Sequence, residues 1–349
     1  NKEYLFIIHN VVDGQGGLEH KNSTTLSVNR WTYAGSSYVK FLSLVAHEYF
    51  HLWNVKRIRP FELGPFDYNQ ENYTDLLWVM EGFTSYYDEL LLLRAGYYTQ
   101  SEFLAKMESS INYVEGSVGA RVQPVAHASY DAWIKAYRPN ENSSNTTMTY
   151  YTRGSIIASF LDVKIIRNTN GEKCLDHFLQ HIYDKFYTKA GRGFTSEEFK
   201  RELESFTGEN LDDFYADYID GTAIPTYSEL FQGMGVQVTD VTSTTPDFGA
   251  MLRSSGGKAT ISRIRSNSAA EDAGLSVNDE IIGCNGYRVS KSDIEGLMKS
   301  LKDGDELELL ISRDEILFSV SFTMTNYTRP RYLFNLTNEE NKLRAYWLR

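Results

Sequence analysis

Only two of the 349 residues are cysteine, Cys174 and Cys284. They stand 110 positions apart, so a disulfide framework and a cysteine-ligated metal cluster are both excluded, and any metal must be held by histidines and carboxylates. Positive charge is scarce as well: 35 basic residues face 46 acidic ones for a net charge of −11, and the longest basic cluster is Lys56, Arg57 and Arg59. Such a chain has no electrostatic footprint for a phosphate backbone, and no nucleic-acid partner is expected. Long apolar runs are missing too. Stretches such as Ser155 to Ile166 meet Asp162 and Lys164 well short of the roughly 18–20 residues that a membrane span needs, so no transmembrane segment is expected. There is no internal repeat, and neither an initiator Met nor a signal sequence precedes the strand-like run from Glu3 to Ile8. The natural protein is therefore expected to extend upstream, and a periplasmic or secreted location is favoured over a cytoplasmic one.

What is present is apolar and aromatic. With 42% hydrophobic and 14% aromatic residues, the chain has the area to offset its ordering entropy, and its length suits two or three domains. Residues 1–35 read as short strands interrupted by the glycine-rich stretch from Asp13 to His20. The apolar spacing then predicts helices from about Tyr38 to Leu52 and from about Thr74 to Arg94. Further helices are expected over Glu102–Val114, Gly154–Arg167, Leu175–Phe186 and Ser196–Phe206, the last opened by Thr195 and Glu198 at capping-box spacing. After about Tyr227 the pattern changes to short β-type runs, Val236–Val241, Thr260–Ile264, Glu280–Cys284, Glu306–Ser312 and Leu317–Thr323, with helices near Ala269–Ala273 and Lys291–Leu301. A separate β-rich domain is expected there.

One of the helices carries His47-Glu48-Tyr49-Phe50-His51. The i, i+4 spacing puts both imidazoles on one face, where they can share a zinc ion, while Glu48 reaches the open coordination position. Two histidines satisfied on a buried helix face would give the same pattern, so the reading turns on a third ligand. Glu81 is the candidate, because a lone carboxylate amid Leu76, Leu77, Trp78, Val79, Met80 and Phe83 is costly without a compensating charge. His47, His51 and Glu81 would form a His₂Glu site for one Zn²⁺ per chain. Thr84 and Ser85, one turn on, could orient the ligands or could bond their own backbone.

The runs His47 to Pro60, Glu71 to Thr74, Trp78 to Tyr87 and Ala132 to Pro139 resemble the glycyl aminopeptidase family of gluzincin metallopeptidases, distant relatives of aminopeptidase N and leukotriene A4 hydrolase. Between His51 and Glu81 stand 29 residues, a longer insertion than the wider aminopeptidase N pattern has. The resemblance implies an α+β fold: a thermolysin-like catalytic domain over 1–110, a helical domain closing the cleft over 111–227, a PDZ-like domain over 228–328 and a C-terminal segment over 329–349. Family members usually carry a further N-terminal β-domain, which is absent from this sequence. The PDZ resemblance rests on the stretches Ile261 to Ala270, Ala273 to Leu275, Asn278 to Ile282 and Asn285-Gly286. Such a domain binds a peptide as an added strand or only buttresses its neighbour, and both uses stay open.

The same resemblance extends to substrate binding. Gly16-Gly17-Leu18-Glu19 is similar to the exopeptidase motif of the aminopeptidase N group, in which paired glycines admit the substrate and the carboxylate binds its α-ammonium; a hairpin turn is the plain alternative. Tyr150-Tyr151-Thr152-Arg153-Gly154 is similar to a signature whose tyrosine stabilises the oxyanion, which makes Tyr151 the catalytic candidate and Tyr150 the runner-up. The expected function is a zinc-dependent aminopeptidase with Glu48 as general base, acting on peptides with a free N-terminus, Gly or Ala foremost. Two alternatives are a catalytically silent peptide-binding protein acting through the PDZ-like groove, and a zinc endopeptidase.

Overall fold

Three short strands open the chain in the computed structural model, which describes residues 1–349 and every side chain except that of Ser255. They are β1 (Leu5–Val11), β2 (Gln15–Glu19) and β3 (Ser23–Asn29), ordered β1-β3-β2, with β1 parallel and β2 antiparallel to β3. Leu26 and Val28, two residues apart, turn the covered face of β3 onto Phe41 of the next helix, α1 (Gly35–Phe50). That alternation is what a strand with one covered face requires. It leaves β2 at the sheet edge, beside α1.

The sequence predicts one helix over Thr74–Arg94, and the structure has two, α2 (Leu77–Met80) and α3 (Gly82–Arg94), with Glu81 at the junction. A broken helix exposes carbonyls that an unbroken one would satisfy internally. Here Asn54 Nδ2 donates to Val79 O at 3.0 Å and to Met80 O at 2.9 Å. The break coincides with a helix crossing. A Cβ on Gly82 would lie 2.4 Å from Gly154 Cα, and one on Gly154 would lie 2.4 Å from the Trp78 carbonyl oxygen. Gly154 belongs to the long helix Tyr150–Asn168, so the two helices touch backbone to backbone, a separation that any side chain would prevent.

One apolar core runs from Val55 to Leu348. The expected boundary at residue 110 lies inside α4 (Gln100–Glu115), whose Phe103, Met107, Ile111 and Val114 all belong to that core, so the parts expected over 1–110 and 111–227 share it. The capping box of Thr195 and Glu198 opens the helix Ser196–Thr207.

A second core runs from Phe248 to Met324 and fills the PDZ-like unit. Its strands are β5 (Ser243–Asp247), β6 (Ala250–Ser255), β7 (Lys258–Ile264), β8 (Glu280–Cys284), β9 (Tyr287–Arg288), β10 (Glu306–Arg313), β11 (Ile316–Thr323) and β12 (Thr325–Arg329). The sheet has the order β11-β10-β8-β7-β6, with β9 paired to β8 and β12 paired to β5. On either side of this unit stand β4 (Val236–Asp240) and β13 (Tyr332–Leu336), which pair with each other and pack on the first core. Asn112 of α4 exchanges two hydrogen bonds of 2.8 Å with the Tyr332 backbone, and Glu108 accepts from Phe334 N at 2.8 Å. Trp347 is fully buried and donates to Tyr86 Oη at 2.8 Å, which donates to Asp162 at 2.6 Å. The PDZ-like unit is thus inserted between two paired strands of the main body, and the segment 329–349 completes that body.

Truncation after residue 227 removes Phe231, Phe334 and Trp347, all buried in the main core, and each such aromatic is worth about 3–5 kcal/mol. That protein should show no cooperative thermal transition by circular dichroism. Replacing residues 242–330 with an Asn-Gly turn should preserve one, because Val241 N already donates to Arg331 O at 2.8 Å and a two-residue turn closes such a pair. Loss of the transition in both proteins would overturn the insertion.

Candidate metal centre

His47 in the last turn of α1 and His51, which caps that helix, come to one face, with Glu81 at the helix junction opposite. Glu81 Oε2 lies 3.2 Å from His47 Nε2 and 3.3 Å from His51 Nε2. Zinc bonds of roughly 2.0–2.1 Å at tetrahedral angles separate two ligand atoms by about 3.3 Å, so these donors fit that ion. The outward ring nitrogens are also committed. His47 Nδ1 lies 3.0 Å from Asp88 Oδ2, and His51 Nδ1 lies 2.9 Å from Asn54 O. Both partners only accept, so each Nδ1 carries a proton, and each Nε2, which faces Glu81, could offer its lone pair to a metal on losing its own proton.

Converging carboxylates draw positive charge to this point. Burial opposes ionisation of His47, but its bonds to Asp88 and Glu81 outweigh burial and push its pKa up to about 10. His51 is raised in the same way, burial being outweighed by Glu81. Glu81 is held well below the usual carboxylate range, since the imidazoles outweigh its burial. Burial pushes Asp88 up to about 6 against the opposing bond to His47. A dication would replace the imidazole protons, so metal uptake releases protons and weakens as pH falls.

Glu48 is 5% exposed, and its Oε2 has no hydrogen-bond partner. Burial raises its pKa, partly offset by His51 and His47. A buried carboxylate oxygen with nothing to accept from is costly unless a ligand completes it, and it faces the same pair of histidines. The strand β2 lies over it: a Cβ on Gly17 would sit 2.4 Å from Glu48 Cδ. Gly17 therefore makes room for Glu48. Gly16, at φ +147 with open space around a Cβ, supplies backbone freedom alone.

Glu19, Glu48 and His51 bring ligand atoms within 4.8 Å of one another. Glu19 Oε1 is also paired with Lys56 Nζ at 2.9 Å, a partner that sequence reading missed. The ring of Tyr151 stacks on His47 with centroids 6.2 Å apart. Tyr150 is buried and donates to Tyr137 Oη at 3.2 Å. Thr84 Oγ1 donates to Met80 O at 2.6 Å, the backbone-bonding alternative, while lying 3.4 Å from His51 Nδ1. No side-chain bond is seen for Ser85 among the described residues. Asp88 and Asn54 were missed as well, although Asp88 lies two helical turns beyond Glu81 and Asn54 one turn beyond His51, spacings that would have pointed to them.

Residues 40–157 match the M61 glycyl aminopeptidase family and residues 232–323 match the PDZ domain family. Among solved structures, an aminopeptidase N family protein from Idiomarina loihiensis is 28% identical and superposes with a TM-score of 0.85 over 99% of this chain. The chain spans 62% of that protein's length. The PDZ domain of the carboxy-terminal protease from Vibrio cholerae, solved with a peptide, is 17% identical over 24% of this chain and 98% of its own, with a TM-score of 0.21. A PDZ domain protein from Parabacteroides distasonis is 22% identical over 24% of this chain and 21% of its own, with a TM-score of 0.22. No curated protein matches the chain. The stretch that holds His47, Glu48, His51, Glu81 and Tyr151 therefore lies within the part of this α+β chain that matches the M61 glycyl aminopeptidase family, and a second part matches the PDZ domain family.

Proposed function

We propose that the protein is a zinc-dependent aminopeptidase. The observation that carries this reading is the spacing of His47, His51 and Glu81 for one tetrahedral ion, with the unpartnered carboxylate of Glu48 beside them. Zinc held by His47, His51 and Glu81 would polarise a scissile carbonyl and lower the pKa of a bound water. Glu48, its pKa raised by burial, takes the proton from the attacking water and passes it to the leaving amine. Tyr151 Oη donates to the oxyanion, its own proton held firmly because burial keeps its pKa well above the usual phenol range. Glu19 receives the α-ammonium of the substrate. Lys56 takes one oxygen of that carboxylate and leaves the other for the substrate. A preference for Gly or Ala is supported only by the family match.

The Lys56–Glu19 pair also favours a second reading, a zinc endopeptidase, since a carboxylate already neutralised has less need of an α-ammonium. The silent peptide-binding alternative must account for an unpartnered buried carboxylate beside a complete ligand set.

Glu48→Gln should keep one zinc per chain and lose at least about 10²-fold in kcat, the scale of general acid–base catalysis. Glu81→Ala should lose the metal, as measured by atomic absorption after dialysis. Zinc retained in Glu81→Ala would remove Glu81 from the ligand set.

The aminopeptidase and endopeptidase readings separate on kcat/KM for Gly-, Ala-, Leu- and Phe-anilides run beside acetyl-Ala-anilide. Acetylation removes the charge that Glu19 would bind, so the acetylated compound should fail. Its hydrolysis would favour the endopeptidase. A lead for Leu or Phe would remove the small-residue preference, because one methylene in a pocket discriminates only about 10–200-fold.

A further inference from the structure

A cleft of about 920 Å³ lies between the main body and the PDZ-like unit, and of its lining the mechanism above uses Tyr151 alone. Tyr150 and Tyr151 line one wall. Tyr151 also stacks on His47, so the ring that lines the cleft is in contact with a candidate ligand. Glu19 is not part of this lining and clusters with Glu48 and His51. For a peptide whose first residue sits at Glu19 and whose scissile bond lies at the histidines, the space beside Tyr151 is a route for the residues beyond that bond.

The cleft is cationic in a protein of net charge −11. Arg263, Arg265 and Arg329 of the PDZ-like unit line it together with Lys135 of the main body, against the single carboxylate Asp247. Asp247 is shared by Arg265 and Arg329, each at 3.3 Å, and Lys135 is paired with Asp131 at 2.8 Å. Arg263 is exposed and has no carboxylate partner among the described residues. Arg263 stands near the end of β7 and Arg265 directly follows the strand, and both line the cleft. The Arg265 guanidinium lies 3.5 Å from the Tyr327 ring centroid, which fixes its orientation. The arginines are also tied to the metal centre through the fold. Asn145 donates to Ile264 O at 2.8 Å and accepts from Ser266 N at 2.9 Å, on either side of Arg265. Asn145 stands six residues before Tyr151.

We infer that this cleft binds the part of the peptide beyond the scissile bond and recognises a carboxylate there, with Arg263 as the principal donor. The inference rests on the peptidase reading of the metal centre and adds the substrate class to it: short peptides ending in a free carboxylate, or peptides with an acidic side chain a few residues in.

The probes are alanine peptides of three to five residues, each as the free acid and as the C-terminal amide, beside Ala-Ala-Asp-Ala-amide and Ala-anilide. In the wild-type protein kcat/KM should favour the acid over the amide roughly tenfold or more at one or more lengths, the scale of a charge-assisted hydrogen bond. Rising salt should erode the preference. Arg263→Gln should reduce the acid-to-amide ratio toward one and Arg263→Lys should restore part of it, with thermal transitions confirming that the variants fold. A gain for the free acids alone identifies the terminal carboxylate, whereas a gain for the aspartyl amide identifies the side chain. Equal rates for acids and amides, or a ratio unchanged in Arg263→Gln and in Arg263→Gln/Arg329→Gln, would overturn the inference while the anilide is still cut. If neither anilide nor peptide is cut, the peptidase reading has failed. Calorimetric binding of the same acids and amides then decides the cleft, and equal affinities overturn it.

Discussion

The site depends on a contact between two glycines. Gly82 and Gly154 let α3 and the helix Tyr150–Asn168 touch backbone to backbone. Glu81 directly precedes one of them and Tyr151 lies three residues before the other. A crossing this close therefore fixes the carboxylate and the phenol relative to each other, and both relative to the histidines on α1. The same crossing accounts for the break between α2 and α3: with Trp78 O approached by Gly154, the carbonyls of Val79 and Met80 turn to Asn54, the residue whose own carbonyl anchors His51. Candidate ligand, helix junction and helix packing are parts of one arrangement.

Around that arrangement the electrostatics are one-sided. Glu19, Glu48, Glu81 and Asp88 surround two imidazoles, with Lys56 the one lysine paired into the group. Burial raises the cost of each negative charge and so strengthens the demand for a cation at the centre. Across the cleft the signs reverse, with arginines supplied by another unit of the fold. A peptide is itself a dipolar chain, with an ammonium at one end and a carboxylate at the other. The distribution of charge here is complementary to that polarity.

The PDZ-like unit takes part in this because of how it is joined. Both of its ends pass through β4 and β13, which pair and pack on the main core, and Asn145 ties its β7 end to the body. A unit hung on a single linker would sample many orientations, whereas a double connection with a shared hydrogen-bonded edge holds the arginine face toward Tyr151.

The sequence by itself determined whatever lies within one element. An i, i+4 spacing puts His47 and His51 on a common face wherever a helix forms, the Thr195–Glu198 box starts a helix, and the alternating runs after Tyr227 mark strands, because each depends on neighbours a few residues away. Glu81 was legible for a related reason: a carboxylate in an apolar helix implies a compensating charge whatever the fold. Only the tertiary structure decided which distant groups meet. Lys56 on Glu19, Asp88 on His47, the stacking of Tyr151 on His47, the glycine pair and the pairing of β4 with β13 across the inserted unit all join residues far apart in the chain. No local periodicity records such a contact, since its geometry follows from how helices and sheets pack and not from the spacing within any of them.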